Sequence, residues 1–200
     1  QINVNPNPTS NGAFTFFGSE TGSDFADWLK PIARPTVVSL AEGFLLVALG
    51  EFFRLWGVSI AGSETRTTGG VGGTYLVTKG PFAHVRNPLY VGNMLLYVGV
   101  GVMSNALAPW LTLAAAAYFL FQYTLIVSLE EEYLRATFPQ EFDAYCAAVP
   151  RFLPRLTPFT GGTHDQPAID WARGAASERR TFQAIGLVVA VLVVLWYWRG

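Results

Sequence analysis

The chain has 200 residues, of which 51% are hydrophobic and 14% charged, with a net charge of -1. Soluble domains carry about 25% charged residues, so the deficit points to contact with lipid. The near-neutral charge offers no basic field, and no nucleic-acid partner is expected. A single cysteine, Cys146, excludes an internal disulfide, and two distant histidines, His84 and His164, supply too few ligands for a usual zinc site.

Residues 1–35 are polar and rich in Asn, Gly, Ser and Thr. Within them Phe25, Trp28 and Leu29 follow Ser23 and Asp24 at i, i+3, i+4 spacing. This predicts a short capped helix on the membrane interface behind an unstructured lead-in. Four apolar stretches follow, compared with the roughly 20 residues a membrane span needs. They run from Thr36 to Ile60, from Leu89 to Met103, from Leu107 to Leu129 and from Phe182 to Trp198. Only Ser104-Asn105-Ala106-Leu107 separates the second from the third, so these two are expected as an antiparallel hairpin. The last stretch ends in Trp196-Tyr197-Trp198-Arg199, aromatic residues and a cation suited to the membrane–water boundary. The predicted organisation is therefore a polar segment (1–35), a core (36–157), a linker (158–181) and a final span (182–200). The expected fold class is all-α, an integral membrane bundle of about four transmembrane helices.

The basic residues set an expected orientation. Arg66, Lys79 and Arg86 follow the first stretch, and Arg135, Arg151, Arg155, Arg173, Arg179 and Arg180 lie between the third and fourth. The hairpin turn carries none. The positive-inside rule puts both long polar segments in the cytoplasm and both chain ends outside, although Lys30 and Arg34 argue the other way. The expected location is a bacterial inner membrane.

Two polar segments meet at the cytoplasmic end of the hairpin. One holds Gly69-Gly70-Val71-Gly72-Gly73 and then Leu76 to Asn93; the other runs from Ser128 to Pro154. Asn87-Pro88 interrupts regular backbone, and Pro88 fits a first helical turn. Arg86 then sits beside a helix N-terminus, where it either binds a carboxylate or phosphate or reaches a lipid phosphate. Glu130, Glu131 and Glu132 cannot share one helix face, so at least one should turn back toward Arg86. They form either a hydrated acidic turn or a counter-charge for a cationic ligand. Glu51 and Arg54, three residues apart in the first span, can pair on one face. They are either a functional pair facing the bundle or an ion pair at the membrane edge.

Taken together these segments resemble the isoprenylcysteine carboxyl methyltransferase family, relatives of the phospholipid N-methyltransferases. The resemblance rests on Gly80-Pro81-Phe82, on Arg86-Asn87-Pro88-Leu89-Tyr90-Val91-Gly92, on Glu130-Glu131-Glu132-Tyr133-Leu134, and on Phe138-Pro139, Tyr145 and Val149-Pro150-Arg151. Upstream, Gly50 to Trp56 is similar to the family's Arg-Trp segment. Asn87 stands where the family usually has His, Pro139 replaces a Gly and Phe142 a Tyr. The last span lies outside the shared pattern.

The resemblance implies a methyltransferase with S-adenosylmethionine as cofactor, bound in a cytoplasmic cap. Tyr75, Leu76, Val77, Gly80, Pro81, Phe82, Asn87, Pro88, Tyr90, Gly92, Glu130 and Glu131 would lie against the cofactor, with Glu131 toward its cationic part. Arg86 would hold a carboxylate of cofactor or substrate, and Glu51 and Arg54 would orient a substrate headgroup. The implied acceptor is a lipid-like or prenylated small molecule reached through the membrane lipid. Three alternatives stand: a carboxylate of a lipidated thiol compound, a lipid amine, or a non-catalytic subunit that docks other membrane proteins.

Overall fold

Thr36 opens the first helix. Its hydroxyl accepts from the Ser39 amide (3.1 Å), and Ser39 Oγ accepts from the Thr36 amide (2.9 Å). This reciprocal pairing satisfies two of the amides that a helix start leaves bare. In the computed structural model, which describes residues 33–62, 76–162 and 168–198, helix α1 then spans Val37–Ala61. Helix α2 spans Pro88–Ser104, α3 Trp110–Thr137, α4 Pro139–Ala148 and α5 Trp171–Tyr197. A short 3-10 turn, Gly80–Ala83, precedes α2. Among the described residues there is no strand, and the all-α expectation holds.

Helices α1 and α2 pack antiparallel along a row of glycines. A Cβ built on Gly43 would sit 2.5 Å from the Gly99 carbonyl oxygen, and one on Gly50 would sit 2.7 Å from that of Gly92. Between lipid-solvated helices apolar burial supplies no net drive, so close backbone approach of this kind does the holding. At one end the contact is closed by the Arg34 amide donating to the Ser104 carbonyl (2.8 Å). Asn105, in the left-handed region at φ 48°, ends α2 and starts the turn into α3.

Aromatic rings join α3 to α2. Tyr97 stacks on Phe119 at 4.0 Å, and Tyr90 meets Tyr123 at 4.9 Å. The outer face of α3, with Trp110, Leu113, Phe121, Leu125 and Leu129, is exposed. Such a continuous apolar face belongs in lipid rather than water. Helix α5 runs antiparallel along the other side of α1. The Asp170 amide donates to the Ser59 carbonyl (2.8 Å), and Leu192 packs with Val47 and Met103 at the far end.

Helices α1, α3 and α5 are long and apolar enough to cross a membrane, which makes this an integral membrane protein. With 17 residues α2 is shorter, about 26 Å at roughly 1.5 Å per residue against a hydrocarbon core of roughly 30 Å.

Two boundaries differ from the hydropathy reading. Helix α3 runs past Leu129 to Thr137, so Glu130 to Glu132 lie within it. Helix α5 starts at Trp171, well before Phe182, because the Asp170 carboxylate caps it by accepting from the Arg173 amide (2.9 Å). Its first turns are polar outside but bury Gly174 and Glu178 one turn apart. Hydropathy registers only the lipid-crossing part. The interfacial helix expected around Phe25 to Leu29, the run Gly69 to Gly73, Tyr75 and Arg199 lie outside the described residues.

Candidate functional site

Two chain segments far apart in sequence form one cap over the α1–α2–α3 end of the bundle. Gly80 turns the chain at φ 60°; a Cβ there would collide with Ile60 Cδ1, so only glycine lets this turn rest on α1. From there residues 82–86 run beside residues 145–159. The Arg86 amide donates to the Pro150 carbonyl, the Arg155 amide to that of His84 and the Phe159 amide to that of Ala83, each at 2.9 Å. His84 Nδ1 lies 2.8 Å from the Arg155 carbonyl oxygen. A carbonyl only accepts, so Nδ1 carries the ring proton. Beneath these links Leu76, Phe142, Tyr145 and Val149 form the apolar centre of the cap. Buried Tyr145 donates to the Phe82 carbonyl (2.7 Å), and burial pushes its phenol well above the usual range, so it stays protonated.

The charged centre of the cap is Arg86, Glu131 and Arg151. Glu131, 6% exposed, accepts from Arg151 Nη2 (2.5 Å) and Nε (3.2 Å), a bidentate pair. Arg86 Nη2 lies 3.5 Å from the same carboxylate, while Arg86 Nε is buried without a hydrogen-bond partner among the described residues. A buried donor left bare costs about 1–3 kcal/mol, so this nitrogen is a natural contact for an anionic ligand. The three side chains together carry one net positive charge, beside the N-terminus of α2, which Asn87 and Pro88 begin as read from sequence. Asn87 Nδ2 donates to the Arg151 carbonyl (3.2 Å) and so ties the two motif segments together. The three consecutive glutamates separate by face: Glu131 is buried, Glu132 exposed, and half-buried Glu130 accepts from the Tyr90 hydroxyl (2.5 Å).

A second polar cluster lies deeper in the bundle. Arg54 donates through Nη1 to Asn93 Oδ1 on α2, and through Nη2 to Glu178 Oε2 on α5 at 2.7 Å. Its Nε faces Glu51 at 3.7 Å. Gly92 makes room for this side chain, since a Cβ there would sit 2.6 Å from Arg54 Cγ. About one turn before Asn93 on α2, Tyr90 packs its ring against Tyr123 of α3. Arg54 thereby ties α1 to α2 and α5 by hydrogen bonds, and α2 in turn packs on α3 through Tyr90 and Tyr123.

The structure divides the sequence-predicted residues into groups. Arg86, Asn87 and Glu131 gather at the charged centre, Glu130 pairs with Tyr90 on another face of α3, and Val77 and Phe82 are partly buried. Leu76, Gly80, Pro81 and Pro88 are buried or wedged as packing elements. Gly92 faces α1 together with Glu51 and Arg54. Tyr75 lies outside the described residues. Sequence reasoning passed over Arg151, Asn93, Glu178 and Thr181. Arg151 stood in a quoted motif without a role. The signal for Glu178 was a carboxylate close to an apolar span, which by its cost needs a partner. Among the described residues no cluster of three His, Cys, Asp or Glu side chains could hold a metal ion.

Residues 38–141 match the family model described as phospholipid methyltransferase. Curated relatives include the cobalt-zinc-cadmium resistance protein CzcN of Cupriavidus metallidurans, 36% identical over 67% of this chain and 55% of that protein. The nickel-cobalt-cadmium resistance protein NccN of Alcaligenes xylosoxydans xylosoxydans is also 36% identical, over 60% of this chain and 52% of that protein. The chain thus spans about half the length of these relatives. No solved structure matches. The matched segment covers more than half of the chain and carries Arg54, Arg86, Glu130 and Glu131 on α1, the cap and α3; the chain belongs to the phospholipid methyltransferase family, built on a membrane methyltransferase scaffold.

Proposed function

We propose that the chain is an S-adenosylmethionine-dependent membrane methyltransferase acting on a lipid-like acceptor. The observation that carries this is the Arg86–Glu131–Arg151 centre. It is a largely buried, net cationic cluster set at a helix N-terminus, with Arg86 and Glu131 inside the segment matched to the family and Arg151 beyond it, and with a guanidinium nitrogen left bare among the described residues. S-adenosylmethionine supplies, when bound, a methyl group on a sulfonium from which an acceptor lone pair displaces it in line.

The chain's residues fit the polar ends of that molecule. Arg86 and the first amides of α2 suit its carboxylate. Glu130, restrained by Tyr90, suits a cationic group beside them. Glu131 is already gripped by two guanidiniums, so it acts by fixing Arg86. The remaining contribution of the protein is alignment and exclusion of water, which the closed cap provides. The excess of arginine at the cap end of the bundle argues for a cytoplasmic position of that end.

The family description names a phospholipid; where its headgroup amine is the acceptor, half-buried Glu130 is the candidate base that removes its proton before transfer. The second acceptor reading is the carboxylate of a prenylated thiol compound, already ionised at neutral pH. The names of the relatives add a proposed setting: methylation of a membrane component in cells resisting cobalt, nickel or cadmium.

The test is calorimetry of S-adenosylmethionine on the detergent-purified protein and on Arg86→Ala. Saturable binding that the substitution abolishes supports the site. A folded wild-type protein that binds none sinks the methyltransferase reading and leaves a scaffold that docks other membrane subunits. With labelled methyl donor, a base-labile product identifies an ester and a base-stable one an amine.

A further inference from the structure

We infer that Glu178, on a helix outside the segment matched to the family, is a positioning residue for the acceptor side of the site, acting by fixing the guanidinium of Arg54. This rests on the methyltransferase reading. Glu178 is fully buried, at 0% exposure, and its Oε2 accepts from Arg54 Nη2 at 2.7 Å. Thr181, less than one turn further along α5, donates its hydroxyl to the same oxygen at 2.6 Å and so holds the carboxylate in one rotamer. The helix that carries it is itself seated closely on α1: a Cβ on Gly174 would collide with Ser59 Oγ.

The guanidinium of Arg54 is planar, and its edges are held by different helices. Asn93 of α2 takes one edge, Glu178 of α5 another, and Glu51 of α1 faces the third. A planar fork with fixed donors can satisfy such a set; an ammonium cannot. Asn93 lies about one turn along α2 from Tyr90, whose ring packs on Tyr123 of α3 at 4.9 Å. The orientation imposed by Glu178 is thereby passed to the part of α2 and α3 that lies beneath the cap. That is the level at which a lipid headgroup, arriving from the bilayer, would meet the reacting centre. The cofactor end is held by other contacts, those of Arg86 and Arg151 with Glu131.

The two ends therefore respond differently to a change at Glu178. The experiment uses the full chain in vesicles of phosphatidylethanolamine and phosphatidylglycerol, with and without N-acetyl-S-farnesylcysteine, and with radiolabelled S-adenosylmethionine. It compares wild type, Glu178→Gln, Glu178→Asp and Arg54→Lys. Glu178→Gln is expected to raise the acceptor KM about tenfold or more, the scale of one charge-assisted hydrogen bond. The Kd for S-adenosylmethionine should stay within about twofold, because that site is built from other contacts. Glu178→Asp, which restores the charge, should recover most of the loss, and Arg54→Lys should repeat the acceptor-selective defect. Should Glu178→Gln fail to fold, Thr181→Val, which frees the carboxylate rotamer, is expected to show the same selectivity in milder form. An unchanged acceptor KM, or a loss shared equally by acceptor and cofactor, overturns the inference. A wild-type protein that transfers no methyl group to either acceptor overturns the underlying reading, and this one with it.

Discussion

Glu131 on α3 grips Arg151 of the cap by both carboxylate oxygens, at 2.5 and 3.2 Å, while Arg86 approaches the same carboxylate at 3.5 Å. The glutamate is buried and Arg151 is partly exposed, so the pair closes the cap over the end of the bundle. Arg151→Ala leaves Glu131 with only the looser Arg86 contact. Arg86 is then drawn toward the carboxylate and away from a ligand. A hydrogen bond to a charged group contributes about 1.5–3 kcal/mol, so the affinity for S-adenosylmethionine should fall roughly 10- to 100-fold. Arg151→Lys keeps the charge without the bidentate geometry and should fall between. Calorimetry checks the order; equal affinity of Arg151→Ala and wild type would show that the pair plays no part in the site.

Asn87, which the resemblance sets at a position of histidine, joins two parts of the cap, with Nδ2 donating to the Arg151 carbonyl at 3.2 Å. An imidazole can supply one N–H to the same acceptor. Asn87→His should therefore keep cofactor affinity near the wild-type value. Asn87→Ala loses a neutral hydrogen bond of about 0.5–1.5 kcal/mol and should weaken binding roughly 2- to 10-fold. A histidine variant that binds no better than alanine would point to a different role for this side chain.

Much of this site was readable from residue types. Asn87-Pro88 announced the start of α2 because proline tolerates only a first helical turn. Three consecutive glutamates had to point different ways, and the structure turns Glu131 inward and Glu132 outward. The pairing of Glu51 with Arg54 followed from their spacing. What hydropathy concealed was the start of α5. Trp171 to Thr181 contains Arg173, Glu178, Arg179 and Arg180, a composition that reads as linker, and only tertiary packing shows that Gly174 and Glu178 face α1. Spatial partners such as Arg54 and Glu178 are far apart in sequence, and no local pattern names them. The run of glycines in α1 and α2 was equally silent, because glycine carries no hydropathy signal for a close helix crossing.

That crossing makes a direct prediction. In Gly50→Ala the new methyl would sit 2.7 Å from the Gly92 carbonyl oxygen, a backbone atom that cannot move without parting the helices. Overpacking of this kind costs about 1–3 kcal/mol, so the unfolding midpoint in detergent should drop clearly. Among the described residues, nothing lies within 4 Å of a Cβ built on Gly186 of α5. Gly186→Ala should be neutral or gain up to about 1 kcal/mol from helix propensity. Equal effects at the two positions would mean that the α1–α2 contact is looser than the backbone distances state.

Tyr145 gives the cap a pH dependence whose sign can be worked out. Burial raises the affinity of its phenol for the proton, and the nearby Arg86 cation, which pulls the other way, does not cancel this. An unfolded chain ionises a tyrosine near pH 10. Above that pH the unfolded state has lost the proton while the folded state keeps it, so the folded state binds more protons and stability falls as pH rises. The contribution is fully present below about pH 10 and declines above it. Tyr145→Phe removes both the titration and the hydrogen bond to the Phe82 carbonyl. At pH 8 the variant should be less stable by about 0.5–1.5 kcal/mol, the value of one such bond. Between about pH 10 and 11 the wild type should lose stability more steeply than the variant and approach it, while the other tyrosines contribute alike to both. Unfolding midpoints of the two proteins across that range provide the check. Parallel curves would show that the Tyr145 phenol ionises as readily in the folded cap as in the unfolded chain.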